Sequence, residues 1–146
     1  MAHIRKQLRD KMKTVVQGTG ITTFVNRDKQ ITQTDLPCAV ITTDRDKVDP
    51  FIGNGRQAGC SRSTLRTIDL VIRVYAQAET GVDDALDVQC AKIEKVLAAT
   101  ETIAPAWPDL KSTTIDIFGE GEKPIGIATM NYKVEFKNIS NPERSI

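Results

Sequence analysis

Thr64-Leu-Arg-Thr-Ile-Asp-Leu-Val-Ile-Arg-Val-Tyr-Ala-Gln-Ala78, then Glu79-Thr-Gly81, then Val82-Asp-Asp-Ala-Leu-Asp-Val-Gln-Cys-Ala-Lys-Ile-Glu-Lys-Val-Leu-Ala-Ala99 is the stretch around which this chain is organised. From Ile68 the side chains alternate. Ile68, Leu70, Ile72, Val74 and Ala76 fall on one face, and Asp69, Val71, Arg73, Tyr75 and Gln77 on the other, which is the two-residue period of a strand with one dry face. After Thr80-Gly81 the period changes. Val82, Ala85, Leu86, Cys90, Ile93, Val96 and Leu97 recur at three- and four-residue spacings, which predicts a helix. Asp83, Asp84 and Asp87 lie in its first turns, where carboxylates suit the positive end of the helix dipole. A strand that turns this tightly into a helix is expected to carry that helix back across its own apolar face.

Working outward, residues 3–17 form an amphipathic helical pattern, with Ile4, Leu8, Met12, Val15 and Val16 opposite Arg5, Lys6, Arg9 and Lys13. Gly18 and Gly20 end it. Ile21–Arg27 reads as a short strand and Leu36–Thr43 as a second, opened by Pro37 where a missing N–H is tolerated. Beyond Thr100–Asp109, broken by Pro105 and Pro108, Leu110–Phe118 reads as a strand. Ile125–Lys137 alternates most cleanly of all, and these two strands are expected to pair antiparallel. Asn138–Ile146 reads as a loose tail. The order predicts a single α+β domain over residues 1–146: a mixed, mostly antiparallel sheet with both helices packed on one face, plus a long loop or hairpin extension.

That extension is residues 44–63, rich in charge and glycine and without periodicity. A loop of about 20 residues inside a compact domain is uncommon and usually functional or disordered. Phe51 and Ile52 form an adjacent apolar pair within it, which either tucks back on its own domain or docks on a partner, and Arg45, Lys47, Arg56 and Arg62 supply basic groups. Those six residues are the candidate partner-binding set, aimed at an acidic neighbour or at DNA that passes without being read.

The 146 residues carry a net charge of +1, which excludes a globally basic nucleic-acid binder, but the charge is unevenly placed. Arg5, Lys6, Arg9, Lys11 and Lys13 against Asp10 leave +4 over the first helix. Glu79, Asp83, Asp84, Asp87, Glu94 and Glu101 against Lys92 and Lys95 leave −4 over the second. Arg5, Lys6, Arg9, Lys13, Asp83, Asp84 and Asp87 are therefore candidates for contacts between neighbouring subunits.

Site chemistry is sparse. The lone histidine, His3, has no Ser or Cys pattern beside it, so a histidine-based triad lacks support. Asp44–Asp49 briefly resembles a calcium loop, but Asp49 stands where glycine is needed and Gly55 where glutamate is needed. Gly53–Gly59 is one residue too long for a dinucleotide fingerprint and precedes a strand where that motif opens a helix. Cys38, Cys60 and Cys90 show no CxxC spacing; Cys38 and Cys90 fall on buried faces and Cys60 in a polar loop. No catalytic residue, metal ligand or cofactor is implied, and a non-enzymatic protein is expected. No apolar run approaches the roughly 20 residues of a membrane span, and Met1–Lys6 lacks the apolar segment of a signal peptide, so no membrane partner and a cytoplasmic site of assembly are expected.

The basic first helix, Asp35-Leu-Pro-Cys-Ala-Val-Ile41, Val74-Tyr-Ala76 followed by Asp83-Asp-Ala-Leu-Asp87, and Gly121-Glu-Lys-Pro-Ile-Gly-Ile-Ala128 before the last strand occur in an order that resembles tail terminator and minor tail proteins of long-tailed bacteriophages. The resemblance spans most of the chain. It implies a virion protein that forms a hexameric ring with copies of itself, caps the major tail tube protein and meets the head–tail connector proteins. Other neck, head–tail completion and tail-tube proteins share the architecture and are the alternative. A DNA-binding module and an enzyme are the competing classes.

Overall fold

The structure is a computed structural model that describes residues 2–25, 31, 35–50, 64–78, 80–99, 108–119, 124–137 and 142–143. The elements in chain order are α1 (Ile4–Gln17), β1 (Thr22–Phe24), β2 (Cys38–Pro50), β3 (Thr64–Gln77), α2 (Val82–Ala99), β4 (Pro108–Phe118) and β5 (Ile125–Lys137). The strands form one sheet in the order β1-β2-β3-β5-β4. Only β1 and β2 run parallel; every other pair is antiparallel. This is the mixed α+β sheet expected from the sequence, with β3 at its centre.

Both helices cover the same face. α1 packs on β1 and β2, and α2 on β3 and β5, with the two helices touching each other. Ile4, Leu8, Met12 and Val16 of α1 and Leu86, Ile93 and Leu97 of α2 close over Ile41, Ile68, Leu70, Ile72, Val74, Met130 and Val134 in one continuous core. Each of these is the residue type that the two periodicities place inward. Fully burying an aliphatic side chain contributes about 1.5–3 kcal/mol, so the sandwich is held mainly by this layer.

The turn from β3 into α2 is made by Gly81, at φ +69°, a conformation that side chains rarely adopt. Its carbonyl accepts the first helical bond, from the Ala85 N–H at 3.0 Å. α2 then lies so close to β5 that a Cβ on Gly126 would stand 2.7 Å from Leu86 Cδ1 and 2.9 Å from Val82 Cγ2. Glycine at 126 is what lets this helix sit down on the sheet.

The structure differs from the sequence reading in three places. The supposed loop 44–63 is strand through Pro50: β2 continues past a bulge between Thr43 and Asp46 and stays paired with β3 as far as Pro50↔Thr64. The ladder holds this segment through backbone bonds, which need no apolar pattern, and its run of charges hides it from a periodicity test. Residues 51–63, including Phe51, Ile52, Arg56, Cys60 and Arg62, lie outside the described residues, as do Trp107 and most of the 138–146 tail.

The second difference concerns the face of β3 turned away from the helices, which is drier than alternation suggests. Val71 there is 5% exposed, beside Cys38, Val40 and Thr42, all buried on β2. The Arg73 guanidinium lies across this patch and donates to Thr42 Oγ1 at 3.3 Å. The third difference is β4, whose antiparallel pairing with β5 is as expected but whose side chains are exposed on both faces from Asp109 to Phe118.

Gly126→Ala is expected to destabilise the protein by about 1–3 kcal/mol through overpacking, and Leu70→Ala by about 2–4 kcal/mol through a cavity. Asp69→Ala, on the opposite face of the same strand, is expected to cost under about 0.5 kcal/mol. Urea denaturation of the three variants checks the ranking, and a larger loss at Asp69 than at Leu70 would mean that the two faces of β3 are assigned the wrong way round.

Candidate interaction surfaces

The α1 side of the molecule is built around a buried ion pair. The β2 bulge adds one residue to the strand, and this turns Asp46 onto the helix-covered face opposite Ile68. There its Oδ2 lies 3.4 Å from Arg66 Nη1 and 3.7 Å from Arg5 Nε. Arg66 and Asp46 are almost wholly buried, with side chains 9% and 11% exposed, whereas Arg5 is half in solvent. Among the described residues, Asp46 Oδ1 and Arg66 Nε lack hydrogen-bond partners, so the pair is held there by one contact edge. Removing either partner would strand a buried charge, which is the costly way to break such a pair.

His3 caps α1, its Nδ1 accepting from the Arg5 N–H at 3.1 Å. The Ile4 N–H donates to the Pro142 carbonyl at 2.6 Å, which ties the helix start to a residue near the C-terminus. One turn further on, Arg9 Nη1 donates to Thr43 Oγ1 at 2.7 Å. Arg5 and Arg9, two of the candidate subunit contacts, thus fasten α1 to β2 within the chain. Lys6 pairs with Asp10 one turn away at 2.7 Å, a solvated pair worth little to stability. Lys13 is half-buried. On β2, Arg45 is exposed at the bulge and Lys47 is exposed 3.5 Å from Asp49.

On the other flank, Asp83, Asp84 and Asp87 all project from α2 into solvent, so this part of the candidate set is placed as the helical spacing requires. The inner side of α2 meets Tyr132 and Cys90. Burial, then the Glu94 carboxylate and Cys90, raises the Tyr132 hydroxyl far above its ordinary range, and among the described residues that hydroxyl has no hydrogen-bond partner. Burial first, then Glu94 and Asp87, pushes the Cys90 thiol up to about 11. Both groups are held neutral and serve as packing.

A recess of about 350 Å³ opens where the α1–β1 turn meets the start of β2 and the flank of α2, with Ile21, Leu36, Pro37, Asp35, Gln89 and Lys92 in its lining. Its lining mixes one carboxylate, one ammonium and small polar groups, with no nucleophile–base pair. Among the described residues no three His, Cys, Asp or Glu side chains come together as a metal site, and no helix is long and apolar enough to cross a membrane.

Sequence reasoning missed the β4 surface. Because paired residues share a face, Leu110, Ile115 and Ile117 continue the layer of Tyr132, Ala128 and Gly126 outward, yet they are 36%, 41% and 49% exposed. Phe118, on the opposite face, is 55% exposed. Ile115 and Ile117 alternating with Asp116 look the same in sequence whether or not a helix covers them.

No protein-family model matches the chain, and no curated protein does. Among solved structures, a chain from the virion of a native gene transfer agent particle is similar in coordinates. The TM-score is 0.47 and the identity 12%, and the match covers 92% of each chain.

Two measurements check this part of the molecule. Partial burial, then Arg5 and Arg66, holds the His3 imidazole below its ordinary value of 6.5, against the opposing pull of Asp46. The folded state therefore binds fewer protons than the unfolded one. The stability from His3 is complete above 6.5 and is lost as pH falls through that value towards the lower folded one. Urea midpoints are expected to drop between about pH 7.5 and about pH 5.5 more in the wild type than in His3→Asn, which keeps a capping group without titrating. For Cys90, a rise from 9.0 to about 11 leaves roughly a hundredfold less thiolate. Mass-spectrometric mapping is expected to find Cys90 alkylated slowly in the native protein and rapidly in urea.

Proposed function

We propose that this chain is a structural virion protein of a phage-like particle, a tail terminator that assembles with copies of itself into a hexameric ring. In this reading the ring caps the major tail tube protein and presents its other side to the head–tail connector proteins. The observation that carries the reading is the division of charge across one helix layer. Basic α1 lies over β1 and β2, and the acidic start of α2 lies over β3 and β5. A subunit with opposite charges on its two flanks is suited to a heterologous contact, in which one face meets a different face of the next copy, and such contacts generate rings when the rotation closes.

The segments that carry the resemblance to tail terminator and minor tail proteins fall at the ends of elements in this chain. Asp35–Ile41 opens β2, Val74–Ala76 ends β3 and leads into the acidic turns of α2, and Ile125–Ala128 begins β5. The chain is read as non-enzymatic and without a cofactor, and its place is the tail or neck of the virion, after assembly in the host cytoplasm. Arg45 and Lys47, with Arg56 and Arg62, are assigned to partner contacts or to the neighbourhood of DNA in the channel. Phe51 and Ile52 are assigned to docking on the tube or connector. The same geometry also serves another neck, head–tail completion or tail-tube protein.

Electron microscopy of purified particles, with this chain located in the density, tests the reading. The expected result is a closed ring of six copies between tube and connector. A monomer or an open filament in the particle would refute it, and a different station in the neck would select the alternative. Salt-dependent binding of the free protein to DNA would instead favour a DNA-binding module.

A further inference from the structure

Among the described elements, β4 is the most exposed. It pairs only with β5, at the edge of the sheet. Natural edge strands are usually blunted by being short, by lysine or proline, or by a bulge. β4 has Pro108, Lys111 and a bulge between Leu110 and Ser112, all in its first half. Ser112–Phe118 is an unbroken run with Asp116 as its one charge, and that charge lies on the face turned away from the helices, opposite Ile127. On the other face, Ile115 and Ile117 extend the core layer beyond the helices that cover it.

The surroundings of this bare stripe are acidic. Ile117 pairs with Gly126, and Gly126 is the residue on which Val82 and Leu86 sit. The first turns of α2, with Asp83, Asp84 and Asp87 in solvent, therefore stand beside the unprotected half of β4. The far flank is basic on balance. On α1, Arg5, Lys6, Arg9, Lys11 and Lys13 outnumber Asp10, with Lys6 exposed and paired to Asp10 and Lys13 half-buried, whereas on β2 the charges of Arg45 and Lys47 are offset by Asp44 and Asp49.

We propose that β4 and the start of α2 form one half of a head-to-tail joint, and that the other half is the α1 flank of a second copy. This rests on the ring reading and names the surfaces that meet in it. Two copies meeting through β4 alone would bring carboxylates together, whereas the head-to-tail arrangement sets them against ammonium groups. Lysine and arginine also suit the apolar part of the contact, because their methylene stems lie along Ile115 and Ile117 while the charged heads reach the aspartates. The joint is therefore polar in direction and cannot be satisfied by a symmetric dimer.

Native mass spectrometry and sedimentation of the full-length protein, over a range of concentrations, test the joint. Wild-type protein is expected to form closed rings. Ile115→Lys with Ile117→Lys, at exposed positions, is expected to keep the wild-type melting temperature and to raise the concentration needed for assembly on the order of a hundredfold or more. Asp83→Lys/Asp84→Lys/Asp87→Lys and Lys6→Glu/Lys13→Glu are each expected to stay monomeric alone. Mixed in equal amounts, they are expected to form rings in which the two alternate. Should the triple variant lose its helical circular-dichroism signal, Asp87→Lys alone carries the exchange. Rings that persist in the isoleucine variant, or charge variants that do not rescue one another, would overturn the joint and leave the ring standing. A wild type that is monomeric at every concentration, or a symmetric dimer, would overturn both.

Discussion

The constraint on which the rest of this molecule depends is that β3 is hydrogen-bonded along both edges for nearly its whole length, to β2 from Thr64 to Tyr75 and to β5 from Leu65 to Gln77. A strand paired on both sides cannot slip by one residue without turning Leu70 and Ile72 out of the core and Asp69 and Arg73 into it. Its register therefore dictates which faces of its neighbours are dry. The tight turn at Gly81 then leaves α2 a short path, back over the same strand, and α1 fills the remaining half of the layer. The architecture follows from one strand and the turn that ends it.

Much of this was legible in the sequence because burial and periodicity coincide there. β5 and the β3–α2 unit alternate or repeat with the period of their element and lie against the core, so pattern and structure agree. Where backbone bonds rather than side chains hold an element, the pattern says little. The Asp44–Asp49 part of β2 is charged throughout, and its strand character comes from the ladder to β3. The inward turn of Asp46 depends on a bulge, and its pairing with Arg66 joins residues 20 apart through register alone. Nothing in the local sequence marks that meeting.

The candidate surfaces were legible by halves. Asp83, Asp84 and Asp87 face outward as a helical wheel requires. Arg5 and Arg9 read as a solvated stripe, but arginine is long enough to reach past the edge of its own helix, and both bend down to β2. Net charge read along a helix counts such residues as outward-facing when they are already engaged. β4 poses the reverse problem. Alternation reports that one side of a strand is apolar, and it cannot report whether anything is laid against that side.

The close seat of α2 on Gly126 has a geometric consequence for any ring made from this subunit. A closed ring adds the same turn at every joint, so a small error in the direction of one contact is multiplied around the circumference. Val82 and Leu86 stand where a Cβ at 126 would be, so a shift of α2 along β5 would disturb the packing of both side chains. The angle between the acidic helix start and the strand beside it is then a property of the folded subunit rather than of the assembly. In the proposed joint, tolerance for curvature is then left to the lysine side chains of the α1 flank.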